Sequence, residues 1–355
     1  MGTTIISVQY LRGIAALIVV YFHTKVYLAG YAWGVPRNFG YSGVDLFFCI
    51  SGFIMMHTTL GRPVQPASFL RNRLLRVYPL YWLLTLSSLA LYVIAPSAFI
   101  DGSASLGHAI LSLLLIAHFD APVLRIGWTL VYEIFFYALF ALTLWATPHR
   151  RLPLLCALII GLVALGAFCA PESPVLQTYT HPFLLEFLAG AAIGAAFRSE
   201  RFTGLPSGLA ILCLLAGIGL IALGMERRGG DGFSRVLWFG SGAALILLAG
   251  LVFERRGHLF ASRWLHDMGD ASYSLYLTHP FVLTGFRQIG RRLGVADGTA
   301  LVQGLWVMAA ISVATVAGWL TYRLVEQPLQ RALRERGWNG RETVNRLPAN
   351  AAAQT

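Results

Sequence analysis

Residues 10–26 read YLRGIAALIVVYFHTKV, and this stretch decides the fold. Between Arg12 and His23 no side chain is charged, and the apolar run from 11 to 29 is long enough to cross a hydrocarbon core of about 30 Å as a helix. A charge at bilayer depth is costly, so Arg12 and His23 each need a reason to be there. They lie eleven residues apart. On a helix that is about 1100°, within about 20° of three whole turns, with a rise of about 16 Å. The two side chains therefore share one face, Arg12 near the surface and His23 deeper. Either Arg12 snorkels to headgroups and His23 is a satisfied core histidine, or the shared stripe is functional.

The rest of the chain repeats the pattern. Of 355 residues, 57% are hydrophobic, 13% aromatic and only 12% charged, with mean hydropathy +0.65. A soluble domain runs near 25% charged, so this composition excludes both a soluble fold and a disordered chain. The fold class read from it is all-α, a polytopic transmembrane helical bundle. The formal charge is +11, and Lys25 is the single lysine among 27 basic residues. Those arginines punctuate apolar runs instead of clustering on one soluble face, which argues against a nucleic-acid partner. Cys49, Cys156, Cys169 and Cys213 sit inside apolar stretches and read as packing residues, neither disulfides nor metal ligands.

Eleven apolar runs occur, at 11–29, 42–60, 78–96, 106–118, 128–146, 153–170, 183–197, 207–224, 235–253, 272–290 and 300–322. Arg-rich segments separate them at 61–77, 147–152, 198–206, 254–271 and in the tail. All five fall on one side only if 106–118 does not cross. That run is also the shortest, and 13 residues span about 20 Å. The expectation is ten spans plus one re-entrant or interfacial segment, with both termini cytoplasmic. The inside then carries 16 Arg, and the outside seven: Arg37, Arg125, Arg227, Arg228, Arg235, Arg291 and Arg292. No cleavable signal peptide and no internal repeat is evident. A membrane domain is drawn over 5–330, with 331–355 as a disordered cytoplasmic tail.

Polar residues inside the runs are the candidates for chemistry. In SFLRNRLLRVYPLYW (68–82), Arg73 and Arg76 share a face at i, i+3. They are either a topological anchor or a fork for phosphate oxygens. In WTLVYEIFFYALF (128–140), Glu133 should be either paired or protonated, and Arg12 or His23 is the candidate partner. GVDLFFCISGFIM (43–55) buries Asp45, and its Ser51-Gly52 pair reads as a place of close helix packing. SYSLYLTHPF (272–281) sets Tyr276 and His279 at i, i+3, with Pro280 next. The other histidines, His57 among them, lie near run ends or in loops and are assigned nothing.

Five stretches in order carry a resemblance: ISVQYLRGIAALIVVYFHT, GVDLFFCISGFIM, RNRLLRVYPLYW, WTLVYEIFFYALF and SYSLYLTHP. Together they resemble the integral-membrane acyltransferase family 3 from about residue 5 to 330, and the opening is similar to its exopolysaccharide-modifying branch. The resemblance implies transfer of acetyl, or sometimes succinyl, from a cytoplasmic acyl-CoA such as acetyl-CoA to sugar hydroxyls of an envelope or secreted glycan. It implies activity-linked roles for Arg12, His23, Arg73 and Arg76, and matches the family's acidic residue to Glu133. Many members add a C-terminal esterase-like domain that this sequence lacks.

The reading is thus an inner-membrane O-acyltransferase. Acetyl-CoA binds as donor substrate on Arg73 and Arg76. His23 serves as general base or acyl carrier, and Arg12 and Glu133 orient groups and compensate charge. The acceptor is an exopolysaccharide, O-antigen or lipid-linked sugar, and polysaccharide-synthesis machinery is a candidate partner. Two rivals stay open on sequence alone: a proton-coupled transporter or glycan flippase, and a non-catalytic synthase subunit.

Overall fold

A backbone in hydrocarbon must satisfy its own N–H and C=O groups, and helices do this within one segment. The computed structural model describes residues 5–28, 40–94, 105–227 and 232–338, and the regular elements among them are all helical. They are α1 Ile6–Tyr27, α2 Tyr41–Thr59, α3 Pro66–Ile94, α4 Leu106–Leu114, α5 Trp128–Thr143, α6 Pro148–Cys169, α7 Pro174–Tyr179 and α8 Leu184–Ala196. There follow α9 Glu200–Thr203, α10 Ser207–Glu226, α11 Gly232–Arg235, α12 Ser241–Arg255, α13 Arg263–Arg292, α14 Ala300–Thr321 and α15 Gln327–Trp338. π-Helical turns at Val236–Gly240 and Tyr322–Glu326 join α11 to α12 and α14 to α15.

Each of the ten predicted spans falls on a helix. Seven described helices are long and apolar enough to cross a membrane by length and composition: α1, α3, α5 together with the 3₁₀ turn Arg125–Gly127 that leads into it, α6, α10, the continuous α11–α12 and the continuous α14–α15. The remaining three runs depart for identifiable reasons. Helix α2 carries Asp45 and His57 within 19 residues, and α8 has only 13, about 20 Å of rise. Helix α13 runs for 30 residues, with Pro280 inside it and charged side chains toward both ends. The chain is a multi-pass helical membrane protein. Its outer surface fits that reading, because α6 and α10 expose Ile160, Leu165, Phe168, Leu212 and Leu215 where a soluble bundle would carry charge.

The 106–118 run forms only the nine-residue α4, which ends at Leu115 with φ 53°. The last carbonyls of a helix have no partner in their own turn. Here Tyr81 Oη donates to Ser112 O at 2.7 Å, Trp82 Nε1 to Leu113 O at 2.8 Å, and Tyr78 Oη to Leu114 O at 2.7 Å. Those donors sit half-way along α3, so α4 ends part-way down the bundle, as a re-entrant segment does.

The Arg-rich segments gather at one end of the molecule. Arg198 donates to the carbonyls of Leu60 and His57, and Arg151 to that of Thr59. Arg256 donates to the carbonyls of Gly204 and Leu205, and Arg323 lies 3.6 Å from Asp267. At this end Glu254 closes the start of α1, accepting from the backbone N–H of Ile6 (2.8 Å) and Ser7 (2.9 Å) and from Ser7 Oγ (2.5 Å).

Three expectations change. Arg235, counted as a loop charge, is buried and held by Asp45 through Nε at 3.0 Å and an Nη nitrogen at 2.9 Å. Its guanidinium also lies over the rings of Tyr41 and Phe183, each at 4.4 Å. Buried Glu186 shares this pocket. A buried charge persists only when paired, and removing Arg235 from the loop count strengthens the asymmetry of the ends. Second, residues 331–338 of the expected disordered tail continue as α15, while 339–355 lie outside the described residues, as do Arg37 and Arg228. Third, Glu133 takes partners other than those expected, as described below.

The Ser51-Gly52 pair packs as read. A Cβ on Gly52 would stand 1.9 Å from Phe187 O, and one on Gly190 1.8 Å from Cys49 O, so α2 and α8 touch backbone to backbone. Phe187 stacks on Phe48 and Phe136 at 4.4 and 4.5 Å beside that contact. Gly190→Ala is expected to cost about 1–3 kcal/mol, the usual penalty of overpacking, read as a lower melting temperature of the purified protein. Unchanged melting would mean that α8 shifts freely on α2.

Candidate active site

A cavity of about 190 Å³ opens where α1, α2, α3, α5 and α13 meet. Its polar wall is Arg12, Ser51, Arg73, Arg76, Glu133 and Tyr137, with Tyr273 and Tyr276 from α13. Four of the five site residues expected from sequence therefore face one chamber. The helical periods explain this: Arg73 and Arg76 are one turn apart on α3, and Glu133 and Tyr137 one turn apart on α5. Ser51 Oγ donates to Glu133 Oε1 at 3.1 Å, and Tyr137 Oη donates to the same oxygen. Among the described residues these are the direct partners of Glu133. Arg12 acts on it through space, as do Asp270 and Glu326 on Arg12, whose closest hydrogen bond is to Gln9 Oε1 at 3.4 Å. Glu326 itself is fixed by Ser274 Oγ at 2.5 Å and Gln330 Nε2 at 2.9 Å. The chamber thus concentrates three guanidinium groups against one carboxylate in its wall. Such a site suits a ligand that brings negative charge or develops it during reaction.

His23 does not line the chamber. Its Nδ1 lies 2.9 Å from Val19 O, and a carbonyl only accepts, so neutral His23 carries its proton on Nδ1 and presents Nε2 as a lone pair. The ring stands 4.8 Å, centroid to centroid, from His279, which is fully buried. His279 Nδ1 is likewise 3.2 Å from Leu275 O, and among the described residues its Nε2 has no hydrogen-bond partner. Tyr276 joins the two places. It lines the chamber, its ring lies 6.0 Å from that of His279, and its hydroxyl is held by Thr129 Oγ1 (2.8 Å) and Ile126 O (2.9 Å). A line of polar side chains therefore runs from the chamber through Tyr276 and His279 to His23.

A second cavity, of about 710 Å³, lies at the Arg-rich end, and Arg12 and Ile54 line both. Beside Arg12, its polar wall includes Arg62, Arg198, Arg255 and His57. Sequence reasoning assigned these arginines to topology and His57 to nothing. They come from the ends of three different helices, and no spacing in the sequence announces that they meet. Tyr137 was accessible, since it stands at i+4 from Glu133.

A family model described as an acyltransferase domain matches residues 5–323. The chain belongs to the acyltransferase 3 family. It is 35% identical over 307 residues to the exopolysaccharide production protein ExoZ of Rhizobium meliloti (strain 1021), covering 84% of this chain and 92% of that one. It is 26% identical over 327 residues to the acyltransferase MdmB of Streptomyces mycarofaciens, covering 84% and 82%. It is also 28% identical over 354 residues to the protein BcsY of Komagataeibacter xylinus, covering 90% and 82%. The acyltransferase is thus an enzyme of the membrane, and the transporter and scaffold readings give way. The cationic chamber and the His23–His279 pair lie within the residues that the family model matches.

Proposed function

We propose that this acyltransferase moves an acetyl or similar acyl group from acyl-CoA to a hydroxyl of an exopolysaccharide, O-antigen or other envelope glycan, or of its lipid-linked precursor. The observation that carries the proposal is the chamber of Arg12, Arg73, Arg76 and Glu133, adjoining the Arg-rich end at Arg12 and linked by Tyr276 and His279 to His23. Similarity to a protein of exopolysaccharide production supports the choice of a glycan acceptor. The chain is read as lying in the bacterial inner membrane, with the Arg-rich end and both termini in the cytoplasm, where acyl-CoA is found.

Arg73 and Arg76 hold the donor at the pyrophosphate end of its pantetheine arm, and the arm reaches inward. The acceptor hydroxyl donates to His23 Nε2. Its oxygen attacks the thioester carbonyl as His23 takes the proton, and the carbon–sulfur bond breaks. The thiolate takes a proton to leave as CoA, and the ester is the product. Acyl transfer to His23 itself, followed by transfer to the hydroxyl, is the alternative with the same groups. Glu133, fixed by Ser51 and Tyr137, compensates charge near the arginines.

Membranes containing the protein should incorporate label from acetyl-CoA into glycan, and a deletion strain should lose O-acetyl signals from surface or secreted glycan. Absence of both overturns the proposal. The orientation has its own check. Reporter fusions after residue 355 and within 147–152 should both read cytoplasmic, and a periplasmic signal from either would overturn it.

A further inference from the structure

We propose that the 710 Å³ cavity at the Arg-rich end is the seat of the donor's nucleotide head, the 3′-phosphorylated adenosine of acyl-CoA, held by Arg62, Arg198 and Arg255. The inference rests on the acyl-CoA reading above and assigns a binding site to residues outside the chamber.

Size separates the two cavities first. Small-ligand sites run from roughly 300 to 1,000 Å³. The chamber, at about 190 Å³, has room for a thin arm but not for a nucleoside phosphate, whereas the outer cavity, at about 710 Å³, lies within that range. Arg12 and Ile54 line both, so the two cavities adjoin there, an arrangement that suits a ligand with a bulky head and a narrow arm.

Charge is the second observation. Arg62, Arg198 and Arg255 all act electrostatically on His57, which places three guanidinium groups around one side chain. No Asp or Glu lines the described wall, and the neighbouring Glu254 is taken up by the start of α1. The positive-inside rule asks only that arginines lie on one side of the membrane, not that residues far apart in sequence converge on one cleft. Three cations held together without a carboxylate attract an anion.

Pre-organisation is the third. Arg62 Nε donates to Thr58 O at 2.6 Å, and Arg198 donates to the carbonyls of His57 and Leu60. Arg255 donates to Phe197 O at 3.3 Å with its guanidinium 4.2 Å from the Phe197 ring. Each guanidinium has five N–H donors, and these contacts use one or two, leaving a fork for phosphate oxygens. His57, stacked on Phe53 with 5° between planes, adds a flat ring in the wall for the base.

The probes are adenosine 3′,5′-bisphosphate for binding, and two donors for kinetics: acetyl-CoA, and acetyl-phosphopantetheine, which lacks the head but keeps the inner phosphate. In the triple variant Arg62→Gln, Arg198→Gln, Arg255→Gln, the KM for acetyl-CoA should rise about ten-fold or more, since each charge-assisted contact is worth about that. The KM for acetyl-phosphopantetheine should stay as in wild type, which also shows that the variant is folded. Adenosine 3′,5′-bisphosphate should bind the wild type in phosphatidylcholine nanodiscs and fail to bind the variant. Equal KM values in variant and wild type, or an equal loss with both donors, would overturn the assignment. So would stabilisation of the wild type by phosphatidylglycerol without binding of the bisphosphate, because the anion would then be a lipid headgroup. Bisphosphate binding lost in the variant, with no transfer from acetyl-CoA by wild type, keeps the head site and sinks the acyl-transfer reading. Transfer by wild type that the triple variant leaves untouched does the reverse.

Discussion

His23→Ala is expected to lower acyl transfer by about 10²–10⁴-fold, the usual worth of general acid–base catalysis, with the protein inserted and folded as before. The side chain stands at the far end of the polar line from the chamber, with Nδ1 committed to Val19 O and the Nε2 lone pair left for the proposed role as base. The Val19 carbonyl still has its place in the α1 backbone ladder when the imidazole is removed, so the fold loses little. His23→Asn sharpens the test. An Asn amide can restore a donor toward a carbonyl but has no titratable base, so a packing role predicts recovery and a catalytic role predicts none. Activity above about a tenth of wild type in the Ala variant, or recovery in the Asn variant, would leave His23 a structural residue. If a covalent acyl carrier is formed, brief exposure to labelled acetyl-CoA without acceptor should label wild type and not His23→Ala.

What the sequence revealed follows from which forces act locally. A run of about 20 apolar residues is a one-dimensional signal, so each expected span falls on a helix, and the 13-residue run at 106–118 was too short to cross. The donors that make its ending tolerable, Tyr78, Tyr81 and Trp82, lie some 30 residues upstream and carry no mark of that duty. Long-range pairing hides in the same way. Asp45 and Arg235 are separated by 190 residues, so one read as an unexplained buried acid and the other as a loop charge. At the site, i, i+3 spacing put Arg73 and Arg76 on one face, and eleven residues put Arg12 and His23 on one stripe. Which stripes meet is a tertiary fact. Glu133 was expected to find Arg12 or His23, and found Ser51 and Tyr137 because α2 packs against α5 there. Arg62, Arg198 and Arg255 were hidden by their own sufficiency as topology signals, since one role already accounted for them.

Arg73 and Arg76 separate these two uses of arginine by experiment. Replacing both with Lys keeps the charge that the positive-inside rule counts, so an anchoring role predicts full function. Lys does not keep the planar fork. Its ammonium is a point charge with no bidentate geometry, and it cannot reproduce two parallel contacts to one phosphate or carbonyl. Both guanidinium groups line the chamber, and Arg73 also lies 5.6 Å from the Phe69 ring, which constrains where its fork can point. The Lys double variant should therefore insert normally and show a raised KM for acetyl-CoA. A charge-assisted hydrogen bond is worth about 1.5–3 kcal/mol, so roughly ten-fold or more is expected per lost contact, with Ala variants worse. The pattern across donors distinguishes this pair from the outer cleft. On the proposed binding mode Arg73 and Arg76 hold the pyrophosphate end of the arm, so acetyl-phosphopantetheine should suffer alongside acetyl-CoA, whereas the outer triple variant should spare it. A Lys double variant with wild-type KM for both donors would show that the donor is held elsewhere, leaving these two arginines to topology and to the balance of charge around Glu133.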